Sequence, residues 1–532
     1  MGMNIPSVMN HQFSQVPKAD IPRSKFQSNP SRKTTFNAGY LIPFYVDEAL
    51  PGDTFHVKMT GFARMATPLF PIMDNMFMET FFFAVPNRLV WDNFQRFMGE
   101  QPNPGDSTDF LVPQMSAPGV TGFLNETLYD YMGLPTYVTN YDFNSLHLRA
   151  YNLIWNEWFR DENLQDRVVV DTDDGPDATA DYVLLRRGKR HDYFTSCLPW
   201  PQKGPAVDIP LGTSAPVLGI GVSDSNPPAA TPTVRQTSTG STVFTNPWEN
   251  VNRTLYVAQD GSNQPNVYAD LTSATAATIN QLRQAFQVQK LYERDARGGT
   301  RYIELIKSHF GVTSPDARLQ RPEYLGGGSS MVNIHPVIQT TPQTINGTST
   351  AGFEGVGTLG GFATGSLQGH GFTKSFLEHT LLIGLVSVRA DLNYQQGLHR
   401  MWSRQTRFDF YWPALAHIGE QAVLNQEIFT QGTSADTDVF GYQERWAEYR
   451  YAPSLITGKY RSNDPQTLDA WHLAQDFATL PVLNDEFIID EPPMDRVLSV
   501  PSEPDFLLDC YINRICARPM PLYSVPGLID HF

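Results

Sequence analysis

A group of basic residues near the amino terminus is the first candidate for chemistry. Its members are Lys18, Arg23, Lys25, Arg32 and Lys33. The chain as a whole is acidic, with a formal net charge of -16, so this basic stretch stands out. Cations of this kind contact phosphates, and the neighbouring Phe26 and Phe36 could stack on unpaired bases or, equally well, anchor this stretch against another protein surface. Because the five cations are widely spaced, a solvated tail is an equally good interpretation.

A second candidate is a run of aspartates that could offer carboxylate oxygens to a divalent cation. The run comprises Asp171, Asp173, Asp174, Asp177 and Asp181. Gly175 lies one position early for an EF-hand loop, and no glutamate closes the run. A solvated acidic loop is therefore the better interpretation, and we predict no metal site there.

Two further patterns resemble parts of enzyme sites. Cys197 follows His191 closely enough to suggest a thiol nucleophile, but a buried small apolar side chain is the better interpretation. Gly355, Gly357 and Gly360 have the spacing of a dinucleotide-binding turn, yet the flanks lack the strand and helix that such a turn needs. We interpret these glycines as a chance match within a glycine-rich loop.

Other catalytic and metal-binding signatures are missing from the sequence. There is no HxH, HExxH, GxSxG or P-loop pattern. The three cysteines, Cys197, Cys510 and Cys516, have neither zinc spacing nor the number needed for a disulfide framework. We predict no enzyme activity, no cofactor, and assembly in a reducing compartment.

The composition is that of a β-rich protein. The 532 residues include 39 glycines and 40 prolines, and 12% are aromatic, which indicates many short elements joined by turns. The net charge of -16 argues against a surface that is nucleic-acid-binding throughout. No stretch approaches the about 18 apolar residues of a membrane span, and the amino terminus lacks the apolar core of a signal peptide. We expect a soluble, unsecreted protein.

The elements that would form the core begin with two strands. Residues 54–60 alternate apolar and polar side chains, and residues 76–85 are apolar almost without interruption. Pro86 ends the second strand, and Asn87 is a plausible N-cap for a short helix carrying Val90, Trp91 and Phe94.

Further along the chain, helical and extended patterns alternate. Apolar spacing predicts helices over residues 146–159, from residue 279 and from residue 302. Strands are predicted over residues 381–388, 407–412, 440–451 and 506–516. Both ends of the chain therefore contribute strands. We predict an extended arm at residues 1–36, one domain at 37–532, and an inserted loop-rich segment at 206–273.

Several stretches resemble one family, the major capsid proteins of the gokushovirus branch of the microviruses, which are small single-stranded DNA bacteriophages. The stretches are FFFAVPNRLVW at 81–91, DYFTSCLPWPQKG at 192–204, SHFGV at 308–312, PDARLQRPEYLGG at 315–327 and PLYSVPGLIDHF at 521–532. They follow one another in the family's order along nearly the whole chain.

This resemblance implies a fold, a function and a set of partners. The implied fold is a single eight-stranded viral jelly roll with long loop and helical insertions between strands. Sixty copies would form a T=1 icosahedral shell around circular single-stranded DNA, with the basic arm facing inward. The other implied partners are minor virion proteins and a host-cell receptor contacted through residues 206–273. The protein would belong to the virion and assemble in the bacterial host cytoplasm.

Two alternatives from other functional classes remain open. Nine tryptophans suggest a carbohydrate-binding or carbohydrate-active β-sandwich, which as an enzyme would need a pair of facing carboxylates. A metal-dependent jelly-roll oxygenase is weakened by the missing HxH pattern. The size of the purified particle would discriminate among the three.

Overall fold

The structure is a computed structural model that describes residues 22–205, 279–299, 301–313, 320–340 and 359–523, together with Val207, Gly357 and short strands between residues 217 and 269. The chain divides into two compact units. The larger comprises Met1–Pro201 and Thr300–Phe532, and the smaller comprises Gln202–Gly299.

Nine strands of the larger unit form one sheet. They are β1 (Ser24–Ser28), β2 (Ser31–Phe36), β3 (Ile42–Ala49), β4 (Thr54–Met65), β5 (Met76–Pro86), β6 (Glu323–Ile338), β7 (Leu359–Ser375), β8 (Thr380–Ala390) and β9 (Phe506–Arg518). Their order is β1-β9-β4-β7-β6-β5-β8-β3, and β2 also pairs with β9. All of these pairings are antiparallel. The strongly curled sheet confirms the predicted mainly β class and is consistent with a jelly roll.

The core explains why two strands are apolar on both faces. Along β5, Phe82 and Ala84 belong to one hydrophobic cluster, whereas Phe83 and Val85 belong to another. The second cluster is completed by Trp91 and by a helix over Leu146–Ile154. Strand β8 is buried in the same way, with a single half-buried position. By contrast, β4 buries one face only, which gives it the predicted period of two.

The helices are short except in the middle of the chain. They are α1 (Phe94–Phe97), α2 (Leu128–Met132), α3 (Leu146–Ile154), α4 (Ile279–Gly298), α5 (Tyr302–Phe310), α6 (Asn425–Ile428) and α7 (Asp485–Ile488). A π-helical turn, Trp155–Phe159, continues α3. The helices predicted over 146–159, from 279 and from 302 are therefore confirmed. No helix within the described ranges has the length and apolarity needed to cross a membrane.

Smaller strands pair outside the main sheet. In the larger unit the pairs are Gln114–Ser116 with Asp142–Asn144, Asn393–Tyr394 with Ser454–Leu455, and Glu420–Leu424 with Val439–Glu444. In the smaller unit they are Val217–Leu218 with Tyr268–Ala269, Ile220–Ser223 with Thr254–Val257, and Val234–Arg235 with Val243–Phe244. The predicted boundaries of the insertion, residues 206 and 273, lie outside the described residues.

The glycine-rich region was wrongly interpreted as a loop. It contributes the two longest strands, β6 and β7. A Cβ at Gly371 would overlap the carbonyl oxygen of Val57 on β4, and one at Gly327 would overlap that of Thr80 on β5. Glycine is used here because neighbouring backbones approach closely. Gly360 lies near the start of β7, so a strand follows it and not the helix that a dinucleotide-binding turn needs. Gly355 lies outside the described residues.

Three local predictions were also wrong. Asn87 begins a 3-10 turn, and the N-cap is Pro86, whose side chain makes no capping hydrogen bond. Residues 407–412 form a 3-10 turn and loop rather than a strand, because Asp409 accepts hydrogen bonds from the backbone of Gln405 and Thr406. The strand predicted over 440–451 ends at Glu444, where the chain turns through Trp446 with a φ of 69°.

Candidate nucleic-acid interface

The described part of the predicted arm joins the edge of the main sheet. Strand β1 pairs Lys25 with Ala517, and β2 pairs Lys33 with Asp509. On the other side of β9, Asp509 pairs with Phe62 of β4. Since directly paired residues in an antiparallel sheet point to the same face, the register defines one exposed surface across β1, β2, β9 and β4.

This surface combines positive charge with aromatic rings. It carries the cations Lys25, Lys33, Lys58 and Arg64, the carboxylate Asp509, and the rings of Phe62 and Tyr511, which we together call the basic sheet face. Phe62 and Tyr511 are 45% and 48% exposed, so their rings are available for contact. The guanidinium of Arg64 lies 5.4 Å from the ring centre of Phe62. Four cations and one carboxylate give the face a local excess of positive charge.

The ion pair on this face is weak. Lys33 Nζ lies 3.9 Å from Asp509 Oδ2, and both side chains are more than half exposed. An exposed pair at this distance contributes little stability, so a phosphate can compete for the lysine.

The structure separates the five predicted contact residues. Lys25 and Lys33 lie on the basic sheet face, whereas Arg23 donates hydrogen bonds to Thr54 Oγ1 at 2.8 Å and to the Ala517 carbonyl at 3.2 Å. Lys18 lies outside the described residues.

The side chain of Arg32 points to the opposite face of β2 from Lys33. It pairs with the buried Cys510, and its guanidinium donates to the carbonyl of Tyr131. Burial lowers the pKa of Arg32 and raises that of the Cys510 thiol to about 11. Arg32 therefore ties β2 to helix α2, which carries Tyr131, instead of facing solvent with Lys33.

A depression of about 630 Å³ opens beside the face. Lys33, Phe62 and Arg64 line one part of it, and Glu126 and Asp130 line another. The mixed charge makes the depression a poor phosphate site by itself.

Sequence reasoning missed Lys58, Arg64, Phe62 and Tyr511. The signal for three of them was present, because the alternation of residues 54–60 already places Lys58 on the polar face of β4 and, if continued, Phe62 and Arg64 as well. The contribution of Tyr511 depends on the pairing of the last strand with β4, which no local pattern reveals.

Hydrogen bonds from Arg149 hold part of the acidic run in place. The fully buried Arg149 donates through Nε to Asp177 Oδ2 at 2.7 Å and through Nη1 to the carbonyl of Asp173 at 2.9 Å. Burial opposes ionisation of Asp177, but the hydrogen bond from Arg149 brings the pKa of that carboxyl below its usual range. Asp174 accepts from the indole of Trp91 at 2.7 Å. Among the described residues no group of three acidic, histidine or cysteine side chains could hold a metal ion.

Cys197 is a core residue. Its side chain is buried and packs in a cluster with Tyr193 and Phe194, which confirms the prediction of a small apolar role. His191 is exposed.

Two carboxylates, Glu427 and Glu448, line a cavity of about 290 Å³ elsewhere in the larger unit. Arg400 Nη1 lies 3.1 Å from Glu427, and Arg404 Nη2 lies 3.4 Å from Glu448. Each carboxylate is thus already held by an arginine, which is typical of a structural ion pair.

Comparison with known proteins gives a consistent result. Residues 14–528 match a family described as capsid protein (F protein). The chain is 47% identical to capsid protein VP1 of Bdellovibrio phage phiMH2K, with 98% of each chain covered. It is 45% identical to capsid protein VP1 of Chlamydia phage 1 over 99% of each chain, and 37% identical to that of Spiroplasma virus 4 over 97%.

These matches span the sheet, the helices and the basic sheet face together. They confirm the resemblance found in the sequence, and a capsid protein is a component of the virion that assembles in many copies. The chain therefore belongs to the capsid protein (F protein) family and resembles the gokushovirus-like microvirus members of that family along almost its whole length.

Proposed function

We propose that sixty copies of this protein form a T=1 icosahedral shell around circular single-stranded DNA, and that the basic sheet face lines the interior. The observation that carries the proposal is the basic sheet face itself. It places four cations and two exposed rings on one surface of a chain whose net charge is -16.

The cations and the aromatic rings of that surface are both suited to binding unpaired DNA. Lysine and arginine replace condensed counterions along the phosphate backbone, and aromatic rings stack on bases without selecting a sequence. An acidic exterior with a basic interior would also limit binding of unrelated nucleic acid outside the shell.

The remaining parts of the proposal concern the outside of the particle and its assembly. Residues 206–273 would project outward and contact a host-cell receptor, since loop-rich insertions tolerate sequence change. Minor virion proteins would share the particle. Assembly would take place in the bacterial cytoplasm, where the three buried cysteines would remain reduced. The protein would act as a structural component and not as an enzyme.

The test replaces the four cations of the basic sheet face, Lys25, Lys33, Lys58 and Arg64, with serine. All four are exposed, so the fold should survive. Removing four phosphate contacts should lower the packaged DNA and reduce the slope of log affinity against log salt by about 3. DNA per particle and binding of single-stranded DNA at several salt concentrations are the measurements.

A matched variant controls for net charge. It replaces four other exposed cations with serine, namely Arg96, Arg283, Lys307 and Lys459. This control should retain normal DNA content and salt dependence. Equal loss in both variants would mean that only total charge matters, and no loss in the first variant would reject the interior role of the basic sheet face.

A further inference from the structure

The depression beside the basic sheet face is lined by two chemically different walls. Lys33, Phe62 and Arg64 belong to the sheet, whereas Glu126 and Asp130 belong to α2 and the turn before it. The charged lining residues are balanced, with three cations and three carboxylates, namely Arg32, Lys33, Arg64, Glu126, Asp130 and Asp509. At about 630 Å³ the depression has the size of a small-ligand site. An uncharged ligand with hydrogen-bonding edges therefore fits it better than a free anion.

Hydrogen bonds hold the two walls together. Arg32 on β2 donates to the carbonyl of Tyr131 on α2, and the hydroxyl of Tyr131 donates to the carbonyl of Thr35 on β2 at 2.9 Å. Strand and helix are thus linked in both directions behind the depression. A site that is already formed loses little conformational entropy when a ligand enters, which favours binding.

Glu126 has an unusual backbone conformation at this site. Its φ is 62°, in a region that residues other than glycine seldom adopt. The backbone nitrogen of Glu126 donates to Asp130 Oδ2 at 2.9 Å, which fixes the turn. The side chain of Glu126 is exposed, and no described residue gives its carboxylate a hydrogen bond or an ion pair. Backbone strain of this kind is typical of ligand sites, and both carboxylate oxygens are available to accept hydrogen bonds.

Phe62 supplies a stacking surface on the opposite wall. Its ring is 45% exposed, and the guanidinium of Arg64 lies 5.4 Å from the ring centre. An aromatic ring beside a cation is the usual surface on which an unpaired base stacks. Stacking on Phe62 places the edges of a base within the depression, where its two walls can select among the four bases.

Guanine is the base whose edges match the two walls. Its N1–H and N2–H groups lie side by side, so both can donate to the two oxygens of one carboxylate. Its N7 and O6 atoms are acceptors, for which lysine and arginine are the usual partners. Adenine, cytosine and thymine lack two adjacent donors of this kind.

We infer that the depression holds one guanine base of the packaged single strand, stacked on Phe62, with its N1–H and N2–H donating to the carboxylate of Glu126. The acceptor edge would face Lys33 and Arg64. The inference rests on the proposed DNA contact of the basic sheet face and adds a base preference to it. Stacking and phosphate contacts alone would hold any sequence equally well.

The experiment measures binding of the unassembled full chain to oligothymidines of about 12 nucleotides that carry one central guanine, hypoxanthine or adenine. Hypoxanthine differs from guanine only by lacking the N2 amino group. The guanine oligonucleotide should bind about fivefold or more tightly than the other two, because they lose part of the paired hydrogen bond. Glu126→Gln should abolish this preference, since an amide offers a single acceptor atom. Glu100→Gln, at an exposed carboxylate outside the depression, is the matched control and should retain it.

Equal binding of the three oligonucleotides by the wild type would overturn the inference, and so would a preference that survives Glu126→Gln. A wild-type chain that binds none of them would overturn the proposed DNA contact as well, so the two failures are distinguishable. Thermal unfolding checks the fold of each variant. The comparison of guanine with hypoxanthine uses the wild-type chain and remains decisive if Glu126→Gln does not fold.

Crosslinking in intact particles tests whether the base belongs to the packaged DNA. Asn125 is exposed and lines the depression, so a benzophenone amino acid at this position can report what enters. Its crosslinks should be to DNA, with guanine enriched at the crosslinked positions relative to the whole genome. Crosslinks to DNA without this enrichment, to RNA, or to protein alone would each contradict the inference.

Discussion

Asp490 is a buried carboxylate whose surroundings disfavour its charged form. Its side chain is 2% exposed, and within the described part of the chain its Oδ2 atom has no hydrogen-bond partner. Burial raises the pKa of this carboxyl to about 7, although the charges of Arg389, Lys189 and Arg187 pull in the opposite direction. Below about pH 7 the folded protein therefore keeps the carboxyl of Asp490 mainly protonated.

This preference predicts a pH dependence of stability. In the unfolded chain the pKa of Asp490 is about 3.9, so below about pH 4 the carboxyl is neutral in both states and has no effect. Between pH 4 and pH 7 only the unfolded chain ionises, and the free energy of unfolding falls with rising pH by up to about 4 kcal/mol in total. Above pH 7 the contribution levels off.

Asp490→Asn should remove this slope. The variant should be more stable than the wild type at pH 8 and nearly equal to it at pH 4, as measured by urea unfolding of the unassembled chain. Asp495→Asn is a suitable control because Asp495 is exposed. Parallel stability curves for the wild type and Asp490→Asn would contradict the prediction.

At the residue scale, the sequence predicted which side chains are charged better than it predicted the face of the sheet to which they point. Lys25 and Lys33 were predicted as cations of an extended arm, and the structure places them on edge strands of the main sheet with both side chains exposed. Arg32 could not be distinguished from Lys33 by composition, because its inward direction follows from pairing with Cys510 nearly five hundred residues later. Long-range pairing of this kind leaves no local signal.

At the scale of elements, the glycine-rich strands show what a short-range pattern misses. Strand β7 contacts β4 along most of its length, and at Gly371 the two backbones approach so closely that no side chain fits. At Gly365 the same two strands leave ordinary space, since a Cβ there would lie 3.6 Å from that of Ala63. One strand therefore provides both a sensitive glycine and a matched control.

Gly371→Ala should be destabilising and Gly365→Ala should be tolerated. The added methyl group at residue 371 would collide with the carbonyl oxygen of Val57 and force β7 away from β4, at a cost of about 2 kcal/mol or more. Thermal unfolding and the yield of soluble protein would measure the difference. If the two alanine variants unfolded at the same temperature, the close approach at Gly371 would be refuted.

The reliability of the other element predictions depended on burial. The strands at residues 54–60, 76–85, 381–388 and 506–516 were correct because each packs one or both faces into the core, which produces an alternating pattern where one face is buried and a continuous apolar run where both are. The alternation of Phe408, Phe410 and Trp412 imitated a strand, but these side chains are exposed and the backbone bonds locally. Exposed side chains can therefore carry an alternating apolar pattern without the strand that usually produces it.

At the scale of the whole molecule, the smaller unit has its first and last described strands paired with each other. In the unit formed by Gln202–Gly299, Val217 pairs with Ala269 and Leu218 pairs with Tyr268. The pairs Ile220–Ser223 with Thr254–Val257 and Val234–Arg235 with Val243–Phe244 are nested inside. The first and last described strands of this unit pair with each other. Removing the residues between Leu218 and Tyr268 therefore leaves two ends that are already adjacent.

This arrangement supports a deletion that separates shell formation from host attachment. Residues 219–267 would be replaced by Asn-Gly, which closes a tight antiparallel hairpin between Leu218 and Tyr268. None of the strands described within this stretch belongs to the main sheet, so folding and shell assembly should be retained. Adsorption to cells that bind the wild-type particle should fall by at least about tenfold, because the proposed receptor contact is lost.

The measurements are thermal unfolding, particle yield, and the fraction of particles removed from solution by those cells. A second variant, in which residues 219–267 are replaced by a glycine-serine segment of equal length, controls for the loss of bulk and should also assemble without adsorbing. Unchanged adsorption of the deleted particle would place the receptor contact elsewhere on the shell. Failure of the deleted chain to fold would show that the segment supports the core, because the hairpin closure removes any strain from rejoining the ends.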